Sequence, residues 1–197
     1  MEFVVGTRNT HKLEELTRIL APLVPGLVLL PATGEGPEED GQSFSENALI
    51  KARAAFVDSG VASLADDSGL VVDALNGEPG IHSARYAGTG IDSDNTALVL
   101  DKMKGEVARS ARFVCAAALV SPHGEMVVER SWEGTLAQQP AGGGGFGYDP
   151  IFTPLGMSHT AAELESAAKD ELSHRGQAFR ALAVHMAELT SAHSGVE

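Results

Sequence analysis

The first thirty residues constrain the fold most. An apolar run at residues 3–6 has the length and composition of a short buried strand. The polar segment TRNTHK (residues 7–12) follows, and then Leu13, Leu16, Ile19 and Leu20 recur at the spacing of one helix face. Pro22 and Pro25 close that helix, and residues 27–30 read as a second strand. Strand, loop, helix and strand in this order predict an α/β protein.

The rest of the chain supports one such unit with two lobes. At 197 residues it can bury a sizeable core. Residues 33–42 (TGEGPEEDGQ) read as an acidic surface loop, and Ser43 with Glu46 forms a capping box that predicts a helix from Phe44 to a stop at Gly60. A further helix is expected over residues 92–104, then a long apolar strand at 111–120, a turn at 122–125 and a strand at 126–132. Thr160 and Glu163 make a second capping box, expected to start a helix, and Ser173 is expected to cap the last one.

Charge and composition narrow the function. A net charge of −13 leaves no broad basic surface, which argues against nucleic acid as a partner. With only five lysines (12, 51, 102, 104 and 169), any anion must be met by charges gathered locally. The single cysteine, Cys115, excludes an internal disulfide and suits a reducing compartment. No signal segment and no apolar run of membrane-spanning length is evident, so a cytoplasmic protein with no membrane partner is expected.

The chemistry centres on residues 65–88, ADDSGLVVDALNGEPGIHSARYAG. Asp66 and Asp67 lie between two strand-like runs, a pattern that places them at a strand end or in a tight turn. One reading makes the pair a metal or acid/base site; the other makes Asp67-Ser68-Gly69 a plain turn. The loop at residues 7–12 precedes a helix, where free backbone N–H groups and the helix dipole suit phosphate, and Lys12 adds a cation there. The segment at residues 142–147 matches G-x-G-x-x-G literally, but Tyr148-Asp149-Pro150 follows where a dinucleotide site needs a helix. It is better read as a loop that lets backbone approach a ligand, with Phe146 and Tyr148 as stacking rings and Asp149 as an acceptor. Residues 169–175 (KDELSHR) form a local basic patch, and Glu38 and Glu39 are free to ligate a metal. The histidines at 82, 123, 159, 185 and 193 show no zinc-ligand spacing.

Taken together, TRNTHK, SFSENALIKA, ADDSGLVVDALNGEPGIHSARYAG, GGGGFGYDPIF and KDELSHRGQA resemble the inosine/xanthosine triphosphate pyrophosphatases, in the family's order and across nearly the whole chain. The resemblance implies an elongated mixed β-sheet flanked by helices, two lobes with a nucleotide-binding cleft between them, and a homodimer. It also implies magnesium-dependent hydrolysis of ITP, dITP or XTP to the monophosphate and pyrophosphate. By motif, Thr7, Arg8, Asn9, Thr10, His11 and Lys12 would hold the triphosphate. Asp67 would be proton acceptor and magnesium ligand, Glu39 the second ligand (with Glu38 adjacent), and Ser68 a substrate contact. Phe146, Gly147, Tyr148 and Asp149 would meet the nucleoside, and Lys169, His174 and Arg175 would complete the pocket. His11 stands where many members carry glycine. Recognition of the 6-oxo group would fall to His174 or Arg175, and Asp67 would act either directly or through a bound water. Two other classes fit part of the pattern: a nucleotide sensor without turnover, and a phosphatase working through an aspartyl-phosphate.

Overall fold

Residues 2–7 and 9–193 are described by a computed structural model, residues 190–193 by their backbone alone. Arg8, expected in the phosphate loop, lies outside the described residues. The opening unit forms as its pattern predicts. Strand β1 (Glu2–Val5) pairs in parallel with β2 (Val28–Pro31) on one side and with β3 (Ser63–Val72) on the other. Phe3, Val4 and Val5 are all buried, so side chains on both faces of the strand are covered, which explains its apolar run. Helix α1 (Thr10–Leu20) joins β1 to β2; Asn9 caps it by accepting the Lys12 N–H at 3.2 Å, and it buries Leu16, Ile19 and Leu20. Each such side chain contributes about 1.5–3 kcal/mol of burial.

Helix α2 (Phe44–Ser59) starts at Ser43 and ends at Gly60, whose φ of +67° is the left-handed stop that glycine supplies cheaply. Glu46 donates its N–H to Ser43 Oγ and takes the Gln42 N–H on its carboxylate at 2.6 Å. Helix α3 (Asp92–Lys102), β4 (Ser110–Ser121), β5 (Gly124–Leu136), β6 (Phe152–Pro154), α4 (Ser166–Leu172) and α5 (His174–His193) complete the elements. Among the described residues the six strands form one mixed sheet in the order β2-β1-β3-β4-β5-β6, with β5 and β6 antiparallel. The fold class is therefore α/β with a mixed sheet, as expected.

Two expectations are corrected. The acid pair occupies neither a strand end nor a turn: Asp66 and Asp67 sit inside the ten-residue β3. Strand β3 lies between β1 and β4, so the D-S-G segment follows the sheet and not its local turn preference. The second capping box opens only a single 3₁₀ turn (Ala161–Glu163). Both contacts of the box are present, with Glu163 accepting the Thr160 N–H at 2.7 Å, but Leu164 is extended, so the turn does not propagate.

The chain divides into two compact units. The first comprises the described residues as far as Asp67, Cys115–Arg130, and those from Arg175 onward; its core gathers Phe3, Leu16, Leu20, Leu64, Phe179 and Met186. The second comprises Ser68–Val114 and Ser131–His174, with a core of Leu70, Val99, Met103, Trp132, Ile151 and Phe152. Among the described residues no helix is long and apolar enough to cross a membrane.

Candidate active site

Within the first unit, β3 sets the geometry. Successive strand residues point to opposite faces, so the two adjacent acids enter different surroundings. Asp66 is enclosed. Its Oδ2 accepts from Lys12 Nζ at 3.0 Å and from Arg175 Nη2 at 3.0 Å and Nε at 3.3 Å, with the Cys115 thiol at 3.9 Å. Arg175 in turn donates from Nη1 to Glu15 Oε2 at 2.9 Å. Burial pushes the Asp66 carboxyl up, but Lys12, Arg175 and Lys51 outweigh it and hold the group well below the usual carboxylate range. Arg175 shows the mirror image: burial opposes its charge, while Asp66 and Glu15 more than restore it. Cys115 is kept protonated, first by burial and then by the charge of Asp66, as expected of a core thiol.

Asp67 meets a different set. Lys51 Nζ donates to its Oδ1 at 2.7 Å, and the same ammonium reaches Glu39 Oε2 at 3.1 Å. Burial raises the Asp67 pKa, and Lys51 only partly offsets this. Lys51 is raised overall, because Asp67, Asp66 and Glu39 exceed its desolvation. Local sequence explains how these groups converge. Gly6 ends β1 where a Cβ would lie 2.9 Å from the Lys51 carbonyl, so glycine allows α2 to pass close to the strand. Asn47 accepts the Gly41 N–H at 2.9 Å, tying the acidic loop to α2 and placing Glu39, not Glu38, within reach of Lys51. Thr7 accepts the Asn9 N–H at 3.2 Å, and Thr10 and His11 lie exposed at the start of α1.

The second unit holds the glycine loop. Gly145 and Gly147 have φ of +70° and +61°. Asp149 is buried, and its Oδ2 accepts both the Phe146 N–H at 2.8 Å and the Lys169 ammonium. That ammonium also lies 4.9 Å from the centroid of the Phe146 ring, a cation–π distance. Tyr148 is buried and donates its hydroxyl to the Ser83 carbonyl at 2.8 Å. His174, also buried, stacks on Phe113 with centroids 4.8 Å apart and planes 11° from parallel. Ser68 is half-buried on β3.

The structure thus distributes the basic patch: Lys169 and His174 belong to the second unit, and Arg175 to the buried network of the first. Lys51, Asn47 and Glu15 were not among the expected site residues. Lys51 and Asn47 carried a signal, lying one turn apart on the same face of a helix. Glu15 also carried one: it shares a face with Leu16 and Ile19, where an acid must be paired to be buried.

Comparison with known proteins agrees with this geometry. The sequence matches the Ham1 family over residues 3–185. A Mycobacterium tuberculosis protein named dITP/XTP pyrophosphatase is 48% identical over 98% of both chains. A Nocardia farcinica protein of the same name is 50% identical over 94% of this chain and 95% of its own. Among solved structures, a HAM1 protein from Coxiella burnetii superposes with a TM-score of 0.86 at 39% identity, covering 95% of this chain and 99% of that one. A nucleoside-triphosphatase / dITP/XTP pyrophosphatase from Mycobacterium abscessus gives 0.75 at 50% identity, covering 92% and 98%. With a match over nearly its full length and relatives at half identity, the chain belongs to the Ham1 family.

Proposed function

We propose that this protein hydrolyses nonstandard purine nucleoside triphosphates (ITP, dITP and XTP) to the monophosphate and pyrophosphate. It would clear them from the nucleotide pool as a single pyrophosphatase domain over residues 1–197, cytoplasmic and homodimeric. The observation that carries the reading is the Asp67–Lys51–Glu39 arrangement: a buried carboxylate with a raised pKa, held by an ammonium that a second carboxylate shares. The names of the relatives supply the substrate class.

Attack on a phosphoanhydride needs a positioned water and neutralised charge. Asp67 takes the proton; its raised pKa brings it nearer the operating pH of a general base. Lys12 and residues 7–11 hold the phosphate oxygens, and Lys51 keeps Asp67 oriented. Ser68, Phe146, Gly147, Tyr148 and Asp149 meet the nucleoside, with Lys169, His174 and Arg175 completing recognition.

The donor set fits magnesium. Asp67 and Glu39, both bonded to the Lys51 ammonium, are the carboxylates that would hold the ion beside it. Magnesium takes one or two protein carboxylates and completes its shell from substrate phosphates and water, which a two-carboxylate set would allow. Such an ion would supply charge neutralisation to the phosphates.

Pyrophosphate release from ITP, XTP, GTP and ATP with magnesium tests the reading: preference for ITP and XTP supports it, and equal use of GTP overturns it. Orthophosphate as the product would favour an aspartyl-phosphate route instead. Asp67→Asn should lower turnover by about a thousandfold or more with the fold retained, since it removes the proton acceptor. Wild-type turnover in that variant would remove Asp67 from its role. Sedimentation measures the dimer.

A further inference from the structure

The geometry points to Asp92 as a positioning residue that fixes the glycine loop and thereby sets affinity for the nucleoside. This rests on the reading of residues 146–149 as nucleoside contacts.

Gly147 has φ of +61°, and a Cβ built on it would meet nothing within 4 Å. Glycine is therefore required there by backbone conformation and not by crowding, and a residue so free must be fixed by its partners. Those partners are specific. Asp92 Oδ2 accepts the Gly147 N–H at 2.7 Å, and Thr96 Oγ1 donates to the Gly147 carbonyl at 3.4 Å. Both backbone polar groups of Gly147 are thus met from α3. One residue earlier, Asp149 accepts the Phe146 N–H at 2.8 Å. Two carboxylates on consecutive amides lock the peptide that carries the Phe146 ring.

The bracket itself is rigid. Asn95, buried on α3, accepts the Ala87 N–H at 2.8 Å and donates to the Ala84 carbonyl at 3.2 Å. Val99, one turn on, is fully buried. Asp92 stands at the first residue of α3 and, although Ile91 supplies no side-chain cap, its carboxylate goes to the loop. A charge-assisted bond to backbone is roughly twice as strong as a neutral one. Asp92 is solvent-exposed, so its loss acts locally and not on the core.

The test compares Asp92→Ala and Asp92→Asn with wild type. Asp92→Ala should raise KM for ITP about tenfold with kcat within about twofold, the pattern of lost ground-state binding. Asp92→Asn, whose amide oxygen still accepts the Gly147 N–H, should return KM to within about threefold of wild type. Hydrogen exchange gives a readout independent of activity: the Gly147 amide should exchange about tenfold faster in Asp92→Ala and near the wild-type rate in Asp92→Asn. An unchanged KM in Asp92→Ala, with wild type active on ITP, overturns the proposal. So does a parallel fall in kcat and thermal stability that asparagine does not rescue. Wild type inactive on ITP would instead overturn the underlying reading, and the affinity claim with it.

Discussion

In the first unit the carboxylates of Glu15, Asp66, Asp67 and Glu39 are met by Lys12, Lys51 and Arg175, cations projecting from α1, α2 and α5. In the second, Asp92 and Asp149 turn toward the amide groups of a loop, with Asp149 also taking the Lys169 ammonium. The difference follows from the elements on which each set is built. Helices and strands satisfy their own backbone, so their side chains are left to neutralise one another. A glycine loop has no ladder of its own, and side chains must supply it. Removing Arg175 should therefore leave buried unpaired charges in the first unit, whereas removing the exposed Asp92 should only loosen a loop in the second.

The largest expected effect tests the first half of that contrast. Arg175→Met removes the donor shared by Asp66 and Glu15, leaving Lys12 as the remaining cation bonded to Asp66 and none bonded to Glu15. Breaking a buried pair from one side costs about 3–5 kcal/mol. For a domain of this size that corresponds to a fall of roughly 6–20 °C in Tm. A thermal unfolding shift below about 3 °C would show that the network is not the buried, mutually dependent set described here. Two carboxylate oxygens, Glu15 Oε1 and Asp66 Oδ1, are buried with no hydrogen-bond partner among the described residues, so the network has little slack to absorb the loss.

The contrast also explains what could be read from the amino-acid sequence. The Ser43 cap, the Gly60 stop and the β1–α1 unit were legible because their chemistry is local. The acid pair was misplaced because what keeps it inside a strand is distant. Asp66 is neutralised by residues 54 and 109 positions away, and no window around Asp-Asp-Ser-Gly contains them. Glu15 was missed because a charged residue on a helix ordinarily faces water; its partner lies 160 positions on. The second capping box formed as read, but no helix follows it, because the chain is already extended at Leu164. Lys12, Asp67 and Phe146 were singled out by motif as candidates, whereas Lys51 required the structure to show that Asp67 and Glu39 share it.

A smaller effect separates the two adjacent acids. Cationic partners hold the Asp66 pKa below its unfolded value of about 3.9, so its ionisation stabilises the fold above that pH. That contribution is lost as pH falls through and below about 4. Burial raises Asp67, so its contribution has the opposite sign: present in acid and lost as pH rises past the unfolded value toward the folded one. Unfolding free energy measured between about pH 2 and pH 5 should therefore drop more steeply toward acid in wild type than in Asp66→Asn. The difference should approach about 1.4 kcal/mol per pH unit, the most that one proton supplies. Asp67→Asn should leave the acid slope as steep or make it steeper. Parallel slopes in wild type and Asp66→Asn would mean that Asp66 is not held ionised by its neighbours.

The smallest effect lies in the second unit. Gly147→Ala places a Cβ in open space, so its cost is conformational: an L-residue in the left-handed region loses about 1 kcal/mol. Compared with the several kcal/mol expected at Arg175, this is the cost of backbone strain at a position whose substitution leaves no buried charge unpaired. Because Asp92 and Asp149 hold the Gly147 and Phe146 amides through N–H groups that the substitution keeps, the alanine variant should keep the loop conformation and bear the strain. Denaturant unfolding should show a loss near 1 kcal/mol with an unchanged m-value. A loss above about 3 kcal/mol would place the loop among the structural supports of its unit, and the contrast between the charge network around Arg175 and the amide-held Gly147 would fail.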